Sequence, residues 1–234
     1  MRRLDTAGVF ERIFEIYRQQ ATLLLPAALL IFLPVACVAV LAAVTGSIAL
    51  FVVGVVAAVV AQFWFQGIVV EAVRDMLDGR RDFTLEDLLR SVTPVLGALI
   101  WAGVMAAIGI GVGFLLFIVP GMILLTLWSL LAPVIVVERV PATRAFGRSR
   151  EIVRGNAWRV FGVIVVLFLF QSVVGTLFQG LGEGLGGDVG NGIGQLIANV
   201  LLAPLSALAA SIIYFQLAGQ PVPAGGWQPP APPS

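Results

Sequence analysis

Apolar residues gather in six long runs, at about 21–44, 48–73, 95–119, 122–137, 158–178 and 193–217. A helix needs about 20 such residues, rising 1.5 Å each, to cross the hydrocarbon of a bilayer. Five runs reach that length. The fourth is shorter and contains Pro133, and it is counted as a span because of what precedes it. Val119-Pro120-Gly121-Met122 has Pro and Gly at the central positions of a type II turn, which would reverse the chain between spans three and four. Three polar segments with a helical period stand ahead of alternate runs. In 8–19, Val9, Phe10, Ile13, Phe14 and Tyr17 share one face, while Glu11, Arg12, Glu15 and Arg18 lie off it. In 83–93, Thr84 is placed to cap a helix with Glu86 and Asp87 in its first turn and Leu85, Leu88, Leu89 and Val92 as its stripe. In 142–155 the stripe is Ala145, Phe146, Ile152 and Val153. Each segment is too polar to span and is expected to lie in the membrane interface.

These elements predict an all-α integral membrane protein. Its six transmembrane helices form three parallel repeats, each an interfacial amphipathic helix followed by a two-span hairpin. Residues 1–218 make up this domain. Residues 219–234, GQPVPAGGWQPPAPPS, are too rich in proline to pack a core and predict an extended, disordered tail.

Charge sets the orientation. Every Arg falls within 2–18, 74–90 or 139–159, and the connections at 45–47 and 179–192 carry none. Arg-rich loops stay in the cytoplasm, so both termini are expected there. Only 12% of residues are charged, about half the share in a soluble domain, which agrees with the bilayer reading. There is no His and a single Cys, Cys37, which excludes a His- or Cys-based zinc site, an intrachain disulfide and a Ser-His-Asp triad. Cys37 is read as a small packing residue. No cofactor or metal is implied, and no catalytic constellation is found, so a non-enzymatic protein is expected.

The strongest candidate surface is basic. Arg144 and Arg148 are one turn apart, as are Arg150 and Arg154, and with Arg159 they would face the phosphates of anionic lipids in the cytoplasmic leaflet. A second candidate is a polar cavity between kinked helices. Gln62 and Gln66 are four residues apart and share a helical face, and Ser129, Gln171 and Asn199 are the polar side chains that would complete it. Ser129 stands one turn before Pro133, where its hydroxyl would relieve the bend. Glu138 marks the cytoplasmic end of span four and, with Glu71, pairs with a neighbouring Arg. Gly109, Gly111 and Gly113 suggest close helix packing, and the glycine-rich 180–194 reads as a flexible outer loop. Function is therefore expected to be lipid interaction or scaffolding through the basic helices, with a small transporter or permease as the alternative. Membrane lipids are the expected partners, then a protein partner or a second copy of the chain, and not nucleic acid.

Pro120-Gly121, Trp128, Pro133, Glu138, Ala145-x-x-Arg148-Ser149 and Arg154-Gly155-Asn156-x-Trp158 resemble a bacterial membrane family. It is the family of the glycerophosphodiester phosphodiesterase membrane domain and its stand-alone, YciC-like relatives. The resemblance implies the bacterial cytoplasmic (inner) membrane. It does not imply the phosphodiesterase activity, because the catalytic barrel found in some relatives has no counterpart here.

Overall fold

The computed structural model describes residue 4 and residues 6–77 and 85–218, and all of its regular structure is helical. The expected N-cap Thr84, the residues Arg2, Arg3, Arg80 and Arg81, and the proline-rich 219–234 lie outside the described residues, as do the side chains of Leu85 and Leu88. The elements are α1 (Thr6–Thr45), α2 (Ile48–Leu77), α3 (Leu85–Val92), a 3₁₀ turn (Thr93–Val95), α4 (Leu96–Leu116), α5 (Ile118–Leu127), α6 (Leu131–Glu138), α7 (Ala142–Val153) and α8 (Ala157–Leu217). Five stretches are long and apolar enough to cross a membrane: 8–45, 48–76, 89–116, 118–138 and 157–217.

The last of these cannot be one span. Sixty-one residues of helix would extend about 90 Å, three times the hydrocarbon thickness. The chain leaves helical geometry at Gly186 and Gly187. Gly187 has φ +58°, in the left-handed region that favours glycine. Arms 157–185 and 188–217 then run back along each other, since an added Cβ at Gly182 would overlap the Gly190 carbonyl oxygen and one at Gly194 that of Phe178. Thus 180–194 is not the flexible loop expected from its glycines. It is the end of a helical hairpin, and the glycines let two backbones touch.

The α4–α5 hairpin works alike but corrects the expected turn. The reversal falls at Phe117, whose extended backbone (φ −159°, ψ 151°) separates the two helices. Pro120 and Gly121 sit inside the first turn of α5, where the missing proline N–H costs nothing because the first four amides have no intrahelical partner. Gly121 packs under the Phe114 ring and Gly113 against the Gly121 backbone. Gly109 accommodates the Trp128 ring, while Gly111 faces open space.

Two further expectations change. Residues 8–19 are the first turns of α1, continuous with the span, and not a separate helix. Val9 and Ile13 of its apolar face are buried in the protein, whereas Phe14 is exposed. The Leu4 amide donates to Asn156 Oδ1 (3.3 Å) and the Tyr17 hydroxyl to the Leu201 carbonyl (3.2 Å), so this end is tied to α8. Nor does Pro133 bend a continuous span. The helix breaks at 128–130, and Pro133 falls in the first turn of α6. Ser129 Oγ donates to the Thr126 carbonyl (2.9 Å) within that break. Cys37 is exposed on the outside of α1 and not packed.

α2 is the hub, touching α1, α3, α4, α6 and α8. The buried core gathers towards the Arg-bearing end, around Phe65, Ile68, Leu131, Ile135, Leu208 and Phe215. The hairpin ends expose Ile48, Phe51, Leu115, Ile118 and Leu185, as surfaces facing lipid would. The hairpin glycines give a direct test. Gly182→Val should lower the thermal unfolding temperature in detergent, on the order of 1–3 kcal/mol for overpacking a closed contact. Gly184→Ala, where an added Cβ meets nothing within 4 Å, should be neutral or stabilising by up to about 1 kcal/mol.

Candidate functional site

Four of the five polar side chains expected to line a cavity do so. Gln62 and Gln66 of α2, Ser129 of the α5–α6 break and Gln171 of the first arm of α8 line one cavity of about 510 Å³, joined by Ser206 of the second arm. The rest of the wall is apolar, and no lining residue is ionisable. Gln62 lies nine residues from Glu71, roughly 13 Å along α2, and Gln66 one turn nearer.

The amides of Gln62, Gln66 and Gln171 make no hydrogen bond to any described residue. Asn199 departs from the expectation. It lies outside the cavity wall and accepts from Gln195 Nε2 (3.1 Å), while Gln179 donates to Gln195. The chain therefore uses its intramembrane amides in two ways. One set is paired across the α8 hairpin, and the other faces empty space.

A polar clamp ties the elements together at the Arg-bearing end. Glu138, at the end of α6, accepts from Arg148 Nε (3.0 and 3.1 Å to its two oxygens) and from the Tyr214 hydroxyl of α8 (3.0 Å). Arg148 also reaches Glu151 (3.4 Å). Its hydrogen bond to Glu138, opposed by partial desolvation, holds the guanidinium pKa above its ordinary value. Glu71 of α2 pairs with Arg139 and, at 3.9 Å, with Arg74. Arg139 also donates to the Ser91 carbonyl (3.1 Å), and these bonds hold it in a left-handed conformation (φ 52°, ψ 37°) that costs a non-glycine residue roughly 1–2 kcal/mol.

The five basic candidates separate accordingly. Arg148 is committed to the clamp, and Arg159 donates to Asn156 Oδ1 (3.4 Å). Arg144, Arg150 and Arg154 are exposed and form no ion pair with a described residue. The apolar face of α7 does not rest on lipid as expected. Ala142, Ala145, Ser149 and Val153 are buried in the protein, and Ser149 Oγ donates to the Leu127 carbonyl (2.7 Å). Phe146 meets the edge of Trp128, which also lines the cavity. Tyr214 had no sequence signal beyond being one of two tyrosines, and Ser149 gave none that distinguishes it from an exposed serine.

Fold and site together define a multi-span helical membrane protein. The family described as Domain of unknown function (DUF7847) matches residues 86–214, more than half of the chain, and the protein belongs to it. Neither a curated protein nor a solved structure matches the chain.

The clamp should be measurable by double-mutant cycles in detergent. The Glu71 side chain is only 11% exposed, so the cycle Glu71→Gln with Arg139→Gln should give a coupling of about 1–3 kcal/mol. The exposed i,i+4 pair Glu86–Arg90 (2.6 Å) should give no more than about 0.5 kcal/mol.

Proposed function

We propose that this chain is a non-enzymatic, multi-pass membrane protein that binds an uncharged amphiphile in the cavity between α2, α4, α5 and α8, as a small transporter or permease would. The supporting observation is the set of three amides, Gln62, Gln66 and Gln171, that face the cavity without a partner. These side chains are half-buried, and a polar group that faces hydrocarbon with neither a partner nor water costs about 1–3 kcal/mol. Glutamines serving only to join helices would be paired, as Gln179 and Gln195 are. Their donors and acceptors suit a hydroxyl, amide or ester group. The apolar wall, with Ile110, Leu167, Phe168 and Ile213, suits a hydrocarbon portion. The uncharged lining disfavours an ionic substrate.

In this reading the three hairpin ends face outward, and the Arg-bearing end faces the cytoplasm of a bacterial inner membrane. The reversals at Gly46, Phe117 and Gly187 recur at intervals of about 70 residues, which supports a threefold repeat of hairpins. Kinship with the membrane domain of glycerophosphodiester phosphodiesterases is supported by motif residues that have structural work here: Glu138, Arg148, Ser149 and Gly155, the last at φ 100°.

Labelling tests the cavity. In a Cys37→Ser background, Gln62→Cys, Gln66→Cys and Gln171→Cys should each react with a water-soluble maleimide in membranes. Val55→Cys, on an exposed apolar face, should stay unlabelled. If none of the three cavity positions reacts while Leu185→Cys at the hairpin tip does, the cavity is dry and the reading fails.

A further inference from the structure

A second, smaller groove of about 330 Å³ lies outside the cavity, between α5 and the start of α8. Ile118, Met122 and Leu127 form one wall, and Ala157, Trp158 and Phe161 the other. Trp158 is 82% exposed and stacks on Phe161 with ring centroids 5.3 Å apart. The wall from Ile118 to Leu127 runs nine residues, roughly 13–14 Å.

The groove lining carries no charge, but its Leu127–Ala157 end adjoins a basic segment. Leu127, at that end, accepts the hydroxyl of Ser149, and Arg150 follows directly. The Arg154 amide donates to the Arg150 carbonyl (2.9 Å), and Arg154 stands three residues before Ala157. Arg150 lies one turn beyond Phe146, whose ring packs on Trp128 next to Leu127, so it projects from the α5 side of α7. Neither guanidinium has an ion-pair partner among the described residues. Arg144 lies on the opposite side of α7 from the buried Ala145, Ser149 and Val153.

We propose that this groove is a seat for one anionic glycerophospholipid of the adjacent leaflet. An acyl chain lies along α5 beneath Trp158 and Phe161, and the phosphate is held by Arg150 and Arg154. Charge complementarity selects the headgroup, and groove length selects a single chain. The groove is distinct from the cavity that carries the proposed function, so either reading stands without the other. A tryptophan at the mouth suits the interface, where one edge of the ring is apolar and the other wet.

Native mass spectrometry of the full chain, equilibrated with dioleoyl phosphatidylglycerol and dioleoyl phosphatidylcholine in mixed micelles, tests this. The unmodified protein should retain phosphatidylglycerol in preference. Arg150→Gln with Arg154→Gln should reduce that preference on the order of ten- to thirtyfold. Arg144→Gln should leave it unchanged, and Ala157→Phe, which fills the groove, should lower retention of both lipids. Inorganic phosphate at millimolar concentration should not displace the lipid. A preference lost equally in Arg144→Gln would mean general attraction to positive charge and overturns the seat. So does unchanged retention in Ala157→Phe, or displacement by phosphate alone. A readout that needs no folded groove variant is quenching of tryptophan fluorescence in the unmodified chain. Bromine-labelled phosphatidylglycerol should quench more than the labelled phosphatidylcholine, and equal quenching by the two also overturns the proposal.

Discussion

Inside a bilayer, helices gain nothing by hiding apolar surface from one another, because lipid is as apolar as leucine. What remains is close backbone approach and polar bonds that have no solvent to compete with. Both govern this structure. Hairpins close where glycine lets two backbones touch, at Gly113 against the Cα and N of Gly121 and at Gly182 against the carbonyl of Gly190. The opposite end closes through Glu138, Arg148 and Tyr214 and through Glu71 and Arg139, where charge and hydrogen bonds join α2, α6, α7 and α8. Between the two lies a space that neither device fills. Gln62, Gln66 and Gln171 face it without a partner among the described residues, in contrast to Gln179, Gln195 and Asn199, which bond to one another.

Much of this was legible in the residues. Hydropathy marks the apolar runs, although α1 begins well before the first of them, at Thr6, and helical spacing groups Gln62 with Gln66. The paired role of Asn199 was hidden because spacing shows which residues share a face and not what that face meets. The glycine-rich 180–194 misled for a related reason. Glycine favours loops in water, yet in hydrocarbon it also permits two helices to touch, and composition does not separate the two uses. Pro120-Gly121 was misplaced by three residues because Pro suits the first turn of a helix as well as the corner of a turn. Phe117, the residue that reverses the chain, carries no turn signal at all.

The burial pattern divides the basic surface into parts with different work. Arg148 and Arg139 hold the protein to itself, while Arg144, Arg150 and Arg154 are exposed and form no ion pair with a described residue. A uniform band of arginine in the sequence thus resolves into internal braces and exposed side chains. The difference follows from where α6 ends: Glu138 draws one arginine of α7 inward and leaves its neighbours at the surface.

The start of α1 also bears on how the chain is made. Val9 and Ile13 are buried, and Leu4 and Tyr17 bond to Asn156 and Leu201, 152 and 184 residues further on. A ribosome adds about 5–20 residues per second, so the first helix waits roughly ten to forty seconds for its partner. The earliest contacts in sequence are among the last to form, and the bundle stays open along one seam until the second arm of α8 has been made.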